Sequence, residues 1–277
     1  MKIMLPDSTV ASYLPNGSLI RSSIKILILS LAGLLYTCSS NSPSYTMMTY
    51  NIHRGVGMDG ILDLHRISEV IRTSETDMAI LHEVDQGTNR SSGIFEADSL
   101  GTLLNMTSRF GRSIDHDGGE YGNSLLSNYP ILSFQVHELE TEHGFEDRTL
   151  LHALILLDSD TLHLMGTHLG LDTLERIDQV NRILSILPNT EKLILAGDFN
   201  FEPGSVPYGL ITADLRDASL EKHERPPPTF PADKPDRRID YIFIGDDIEI
   251  DPEPIIESDL TPVASDHRPQ VLSFKLK

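Results

Sequence analysis

Along most of the chain, apolar residues recur with two alternating periods. Thr46–Ile52 is a short, mostly apolar run of strand type. Leu64, Ile67, Val70 and Ile71 then share one helical face, which predicts an amphipathic helix over Asp63–Thr73. Asp77–Val84 reads as a buried strand and Phe95–Met106 as a second helix. The rhythm then changes. Gly122–Asn128, Ile131–His137, Leu150–Leu157 and Leu162–Thr167 are four β-type runs. Turn residues such as Asn128-Tyr129-Pro130 and Asp158-Ser159-Asp160 separate them, and no helix fits between. Thr173–Leu187 returns as a helix, Lys192–Ala196 as a strand and Gly204–Ile211 as a short helix. Ile239–Ile244 and Gln270–Lys275 close the chain as strands. Two mixed halves of this kind predict an α/β fold, with two sheets packed face to face and helices outside. No linker or repeat interrupts residues 45–277, which are read as one domain.

The N-terminal segment follows another logic. Arg21 and Lys25 lead into the apolar run Ile26–Tyr36, which ends at Thr37-Cys38-Ser39-Ser40. A basic flank and an apolar stretch of about 7–15 residues describe an export signal, since a spanning helix needs roughly 20. Leu35-Tyr36-Thr37-Cys38 is similar to a relaxed bacterial lipobox, with Cys38 as the acylated residue. Thr37 departs from the usual small residue, and the plainer alternative is a secretory signal with an incidental cysteine. The expectation is a signal over residues 1–37, a Ser/Asn/Pro-rich tether over 38–44, and a periplasmic or cell-surface location with a lipid anchor in the membrane, otherwise secretion.

Charge narrows the function. The 277 residues hold 22 Lys and Arg against 41 Asp and Glu, a formal charge of −19. That balance repels phosphate backbones, so long nucleic acid is disfavoured as a partner. The single cysteine leaves no intrachain disulfide and no thiolate zinc site. Gly55-Val56-Gly57-Met58-Asp59-Gly60 matches G-x-G-x-x-G between a strand and a helix. In a dinucleotide fold the first glycine follows the strand directly, whereas Asn51, His53 and Arg54 intervene here. The segment is read as a loop over a site, or as a turn.

The chemistry collects at strand ends. Asn51, Glu83, His168, Asp198 with Asn200, Asp240, and Asp266 with His267 each follow or border an apolar run. Polar groups so placed converge on one crevice at a sheet edge. Oxygen donors from Asn51, Glu83 and Asp266 suit a hard cation, Mg²⁺ with Mn²⁺ as the alternative. Such an ion polarises a phosphoryl oxygen. Asp198 and Asn200 lie on one side of an extended segment, placed to orient or deprotonate water. His168 and His267 can hydrogen-bond or protonate a phosphate oxygen. Asp240 behind His267 would fix its tautomer and raise its pKa. Arg237-Arg238 is either a local phosphate contact or an exposed turn. His137, His152 and His163 are read as surface or strand residues.

These segments stand in an order that resembles the endonuclease/exonuclease/phosphatase superfamily: Tyr50-Asn51-Ile52, His82-Glu83-Val84, Gly122-Asn123-Ser124-Leu125, Asp147-Arg148, Thr167-His168-Leu169, Gly197-Asp198-Phe199-Asn200, Arg238-Ile239-Asp240-Tyr241 and Ser265-Asp266-His267-Arg268-Pro269. The resemblance implies a DNase I-like four-layer sandwich, two packed mixed β-sheets flanked by helices. It also implies Mg²⁺-dependent phosphoester hydrolysis. By resemblance, Asn51, Glu83 and Asp266 belong to the metal site. Asp198 and Asn200 handle water and phosphate, and His168, Asp240 and His267 form a paired imidazole system. Arg148 contacts phosphate, with Asn123 and Tyr121 on the substrate side. His82 departs from the family's usual glutamine. The segments Asn51–Gly55 and Leu62–Ile67 look most like the bacterial metal-dependent hydrolase branch, which is similar to the soluble domain of GPI-anchor lipid remodelers. The expectation is a monomeric phosphodiesterase for lipid, glycolipid or small-molecule esters. The alternatives are a secreted nuclease and a non-catalytic envelope binding module on the same fold.

Overall fold

The computed structural model describes residues 43–140, 146–252 and 257–277. The expected signal, Cys38 and all but the end of the tether lie outside the described residues. Those described fall in one compact unit, Asn41–Lys277. No helix among them is long and apolar enough to cross a membrane.

Twelve strands and six helices follow in order among the described residues: β1 Tyr45–Asn51, α1 Leu64–Thr73, β2 Met78–Gln86, α2 Glu96–Leu104, β3 Thr107–His116, β4 Gly119–Ser127, β5 Ile131–Glu138, β6 Thr149–Leu157, β7 Asp160–His168, α3 Thr173–Ser185, β8 Leu193–Asp198, α4 Val206–Ile211, β9 Arg216–Asp217, α5 Ala218–Lys222, β10 Asp240–Ile244, β11 Ile248–Ile250, α6 Thr261–Ala264 and β12 Gln270–Leu276. One sheet runs β11-β12-β1-β2-β4-β3 and the other β5-β6-β7-β8-β10-β9. Each has one parallel pair at its centre, β1 with β2 and β7 with β8, and antiparallel pairs elsewhere. The result is the DNase I-like α/β sandwich.

Period-two alternation explains the layers. Met47, Ile80, Leu125, Leu151, Ala153, Leu164, Ile194 and Ile242 point between the sheets and form the inner core. Gly166 lets the sheets meet there, for a Cβ on it would stand 2.4 Å from Ile80 Cγ2. The opposite face of the first sheet packs on Ile67, Val70 and Ile71 of α1 and Ala97 and Leu100 of α2. The second sheet packs on Val180 and Ile183 of α3 and Ile211 of α4. Each fully buried aliphatic side chain contributes about 1.5–3 kcal/mol. The Asp63 side chain starts α1 by accepting from the His65 N–H at 3.0 Å.

Two expectations shift. The second helix ends at Leu104, because Asn105 takes a left-handed conformation with φ 56° and closes it. Met106 then leads into β3, a strand the apolar pattern did not announce. That strand is an edge: it pairs only with β4, and Ser108, Arg109, Arg112 and Asp115 need no apolar surroundings. The short β9, α5, β11 and α6 also went unannounced.

Candidate active site

Parallel central pairs bring the functional groups to one end of the sandwich. Asn51 ends β1, His168 ends β7 and Asp198 ends β8. Asp240 opens β10 opposite Asp198. His267 lies just before β12, which runs antiparallel to β1, so it reaches the same end. Ser265 fastens that segment by donating its hydroxyl to the Asn51 carbonyl at 2.7 Å. Glu83 lies within β2 where the register slips between Leu81 and Val84, and its φ is 57°. Asn200 has φ 53°. Such left-handed residues cost about 1–3 kcal/mol and persist where the surroundings enforce them.

The centre of the cluster is Asp198. Its Oδ2 accepts from Asn51 Nδ2 at 3.0 Å and lies 3.5 Å from His168 Nε2 and 3.6 Å from His267 Nε2. Its Oδ1 accepts from the Asn200 N–H at 3.0 Å. Asn51 Nδ2 also donates to Glu83 Oε1 at 3.0 Å, so one amide bridges two carboxylates. His267 Nδ1 is 3.0 Å from Asp240 Oδ2. Asn200 Nδ2 donates to the Leu169 carbonyl at 2.9 Å and lies 3.0 Å from His168 Nε2. With Nδ2 turned to the Leu169 carbonyl, Oδ1 is left as an acceptor.

The two imidazoles differ in charge. Burial works against a charged His267, but Asp240 and then Asp198 overcome it and push the group up to about 10. Burial holds His168 well below its usual range, reinforced by the positive Arg148. His168 is therefore neutral and His267 cationic at neutral pH. Burial and then Asp240 push Asp198 up to about 7, against the opposing pull of His267.

The remaining predicted residues divide. Asp266 lies beside the crevice, one-third exposed, with Oδ1 3.9 Å from His53 Nδ1. The Arg148 side chain is 10% exposed and its Nη2 lies 3.1 Å from Glu146 Oε1. Burial, and next the Glu83 charge, push the Tyr121 phenol upward, so it remains a donor. Asn123 is buried, its Oδ1 lies 3.0 Å from His82 Nδ1, and its Nδ2 reaches the Thr149 carbonyl at 3.5 Å. It supports His82 from behind. His82 in turn meets Thr49 Oγ1 at 2.8 Å, and burial pushes it down to about 4. This neutral ring sits beneath the crevice, 6.2 Å from the His168 ring. Arg238 is neither a phosphate contact nor an exposed turn. It is buried against Asp217 with its guanidinium 4.4 Å from the Tyr241 ring centroid. The glycine loop cradles nothing, because the N–H groups of Gly57, Met58 and Gly60 donate to Ile61, Val263 and Gly57 carbonyls.

Sequence reasoning missed four supports. The His53 N–H donates to Asn51 Oδ1 at 3.0 Å. Thr229 Oγ1 accepts from the Asp240 N–H at 3.3 Å. The Phe230 ring lies 4.7 Å from the His267 ring. Buried Asp85 grips Arg90 through Nε at 2.8 Å and Nη2 at 2.7 Å, which sets the guanidinium 5.4 Å from the Tyr121 ring centroid. The first is a local Asx-type bond between residues two apart, whereas no motif spacing links the other three.

The donor set fits a metal ion. Glu83 and Asp266 would supply carboxylates, and Asn51 Oδ1, which keeps one lone pair beyond the His53 bond, would add a neutral oxygen donor. Such oxygen donors suit a hard divalent cation. Asp198, Asp240 and His267 also bring three ligand atoms within 4.8 Å of one another, and this buried group could hold an ion too. His267 would then have to surrender the proton that both carboxylates hold on it. Among the described residues the buried Asp240 Oδ1 has no hydrogen-bond partner.

This fold and site define a family. The chain belongs to the endonuclease/exonuclease/phosphatase family, whose profile matches residues 48–267. Members of this superfamily are generally phosphoester hydrolases. The chain is 28% identical to YbhP of Escherichia coli K12 over 219 residues, covering 73% of this chain and 85% of that protein. In structure it is similar to an endonuclease/exonuclease/phosphatase of Beutenbergia cavernae, with a TM-score of 0.66, 22% identity, and 84% of this chain and 72% of that chain covered. A mannosyl-6-phosphatase of Bacteroides thetaiotaomicron shares the fold at a TM-score of 0.63 and 16% identity, with 84% and 99% covered.

Proposed function

We propose that this protein is an exported, Mg²⁺-dependent phosphoesterase that hydrolyses a phosphodiester by attack of water, with a lipid, glycolipid or small-molecule ester as substrate. The observation that carries this reading is the Asp198 hub: one carboxylate touched by Asn51 and Asn200, with a neutral and a cationic imidazole on either side. Asp198 accepts the proton of the attacking water, and Asn200 Oδ1 orients it. His267, held as imidazolium by Asp240, donates to a phosphoryl oxygen as charge grows there. His168 stays neutral and adds a second directed group on the same side. Arg148 adds positive charge near His168. Glu83, Asp266 and Asn51 would hold the Mg²⁺ ion, which would supply Lewis acidity for phosphoester hydrolysis. The charge of −19 favours small or lipid-linked esters over long DNA.

Bis-p-nitrophenyl phosphate, plasmid DNA and phospholipids, each with Mg²⁺ and with EDTA, test the reading. Metal-dependent release of nitrophenol is the expected outcome, and no turnover of any substrate refutes it. Export has its own test. Cys38→Ser should move the protein out of the membrane fraction, and unchanged fractionation refutes acylation at Cys38.

A further inference from the structure

Ten large apolar side chains are exposed among the described residues, and seven of them stand at the end of the sandwich that carries the site. Met58 and Ile61 lie between β1 and α1, and Phe95 between β2 and α2. Leu171 and Leu174 flank the start of α3, and Val206 opens α4. Leu171 is 75% exposed, Val206 62%, Leu174 60% and Ile61 59%. The seventh, Val263 in α6, adjoins Met58, whose N–H donates to its carbonyl at 2.9 Å. Single exposed apolar residues call for no explanation. Their concentration on the loops that surround one polar crevice does.

We infer that this apolar rim seats the mouth of the site on a zwitterionic lipid surface, from which the ester enters. The inference rests on the phosphoesterase reading for what is cut, and on the rim alone for what is bound. Three observations select the occupant. The side chains project from five separate segments, so an extended or helical peptide has no single element to follow. A bilayer interface takes up dispersed apolar groups individually. The same segments carry Arg54 and Arg90 against Asp59, Asp63, Asp172 and Glu202, and Arg90 is already gripped by Asp85. Anionic headgroups are drawn by basic clusters, and here the local balance and the total charge of −19 oppose them. A neutral headgroup layer over an acyl interior matches what remains: apolar tips around a polar centre.

The test uses residues 41–277, the compact unit that holds all three apolar clusters and lacks Cys38. This unit and its Ile61→Ser/Leu171→Ser/Leu174→Ser variant are floated with phosphatidylcholine or phosphatidylglycerol vesicles. Circular dichroism verifies that the variant is folded, and a second variant, Phe95→Ser/Val206→Ser, repeats the comparison should the first unfold. The parent should float with phosphatidylcholine and less with phosphatidylglycerol. The variant should lose tenfold or more of its vesicle binding while hydrolysing bis-p-nitrophenyl phosphate within twofold of the parent. Equal flotation of parent and variant, or a parent that binds only phosphatidylglycerol, overturns the inference. So does a dimer in sedimentation that the substitutions dissolve, since a second copy would then cover the rim. Absent hydrolysis in the parent overturns the phosphoesterase reading alone, because flotation is scored without turnover.

Discussion

Asn51 and Asp198 join the two sheets at the site: the amide at the end of β1 donates to the carboxylate at the end of β8 at 3.0 Å. The same nitrogen lies 3.0 Å from Glu83 Oε1. A neutral side chain thus holds two carboxylates in one orientation without adding a charge. Asn51→Ala removes this donor, and losses of one preorganised donor run to about 10²–10³ in kcat. Steady-state kinetics on a soluble diester should show that loss mainly in kcat. Unchanged kcat would place the bridge outside the reaction.

Glu83 tests the metal. Its carboxylate contributes charge to a hard cation, whereas Gln of the same shape contributes only a weak oxygen donor. Glu83→Gln should raise the Mg²⁺ concentration needed for half-maximal activity by tenfold or more, and EDTA should silence both proteins. A Mg²⁺ titration decides it, and coincident curves would remove Glu83 from the ion's surroundings.

Glu96 ties stability to pH away from the site. It is buried, one oxygen accepts from the Asp85 N–H at 2.9 Å, and burial pushes its pKa up to about 8. Between 4.5 and 8 the folded chain therefore binds more protons there than the unfolded chain. Its contribution is fully present below 4.5 and is lost as pH rises through 8. Glu96→Gln keeps an acceptor for Asp85 and cannot ionise. Urea unfolding should give the variant and the parent similar stability at pH 5 and a more stable variant at pH 8.5. A parent that matches the variant at both pH values would contradict this.

How much of this was legible in the sequence depends on where the partner of each residue lies. The apolar runs beside Asn51, Asp198 and Asp240 marked the strands, and the polar group bordering each run marked the crevice. Period two carries that information within a single segment. The edge strand β3 was not legible, because a strand solvated along much of its length shows no alternation. The contact of Asn123 with His82 and the Asp85–Arg90 grip were missed for another reason. Their meaning rests on His82, Thr149 and Tyr121, which pairing across strands supplies and spacing along the chain does not. The glycine loop shows the converse, since its motif is intact but its amides are used by the loop itself and by Val263.

The two imidazoles should not be equivalent. His267 lies between Asp240 and Asp198 and carries a proton, whereas His168 is neutral and hydrogen-bonded to Asn200. Removing a charged donor aimed at the developing phosphoryl charge costs more than removing a neutral one. His267→Ala should lower kcat by about 10³ and His168→Ala by about 10², within the span that such groups supply. Asp240→Asn should reproduce part of the His267 loss, because without the carboxylate the ring no longer holds its proton so strongly. Both rings approach the same Asp198 oxygen, so the double variant should lose less than the product of the single losses. Circular dichroism separates these effects from unfolding. The comparison turns on the ratio of the two single variants. If His168→Ala costs more than His267→Ala, the neutral ring is the principal donor, and the assignment of charge within the site is reversed.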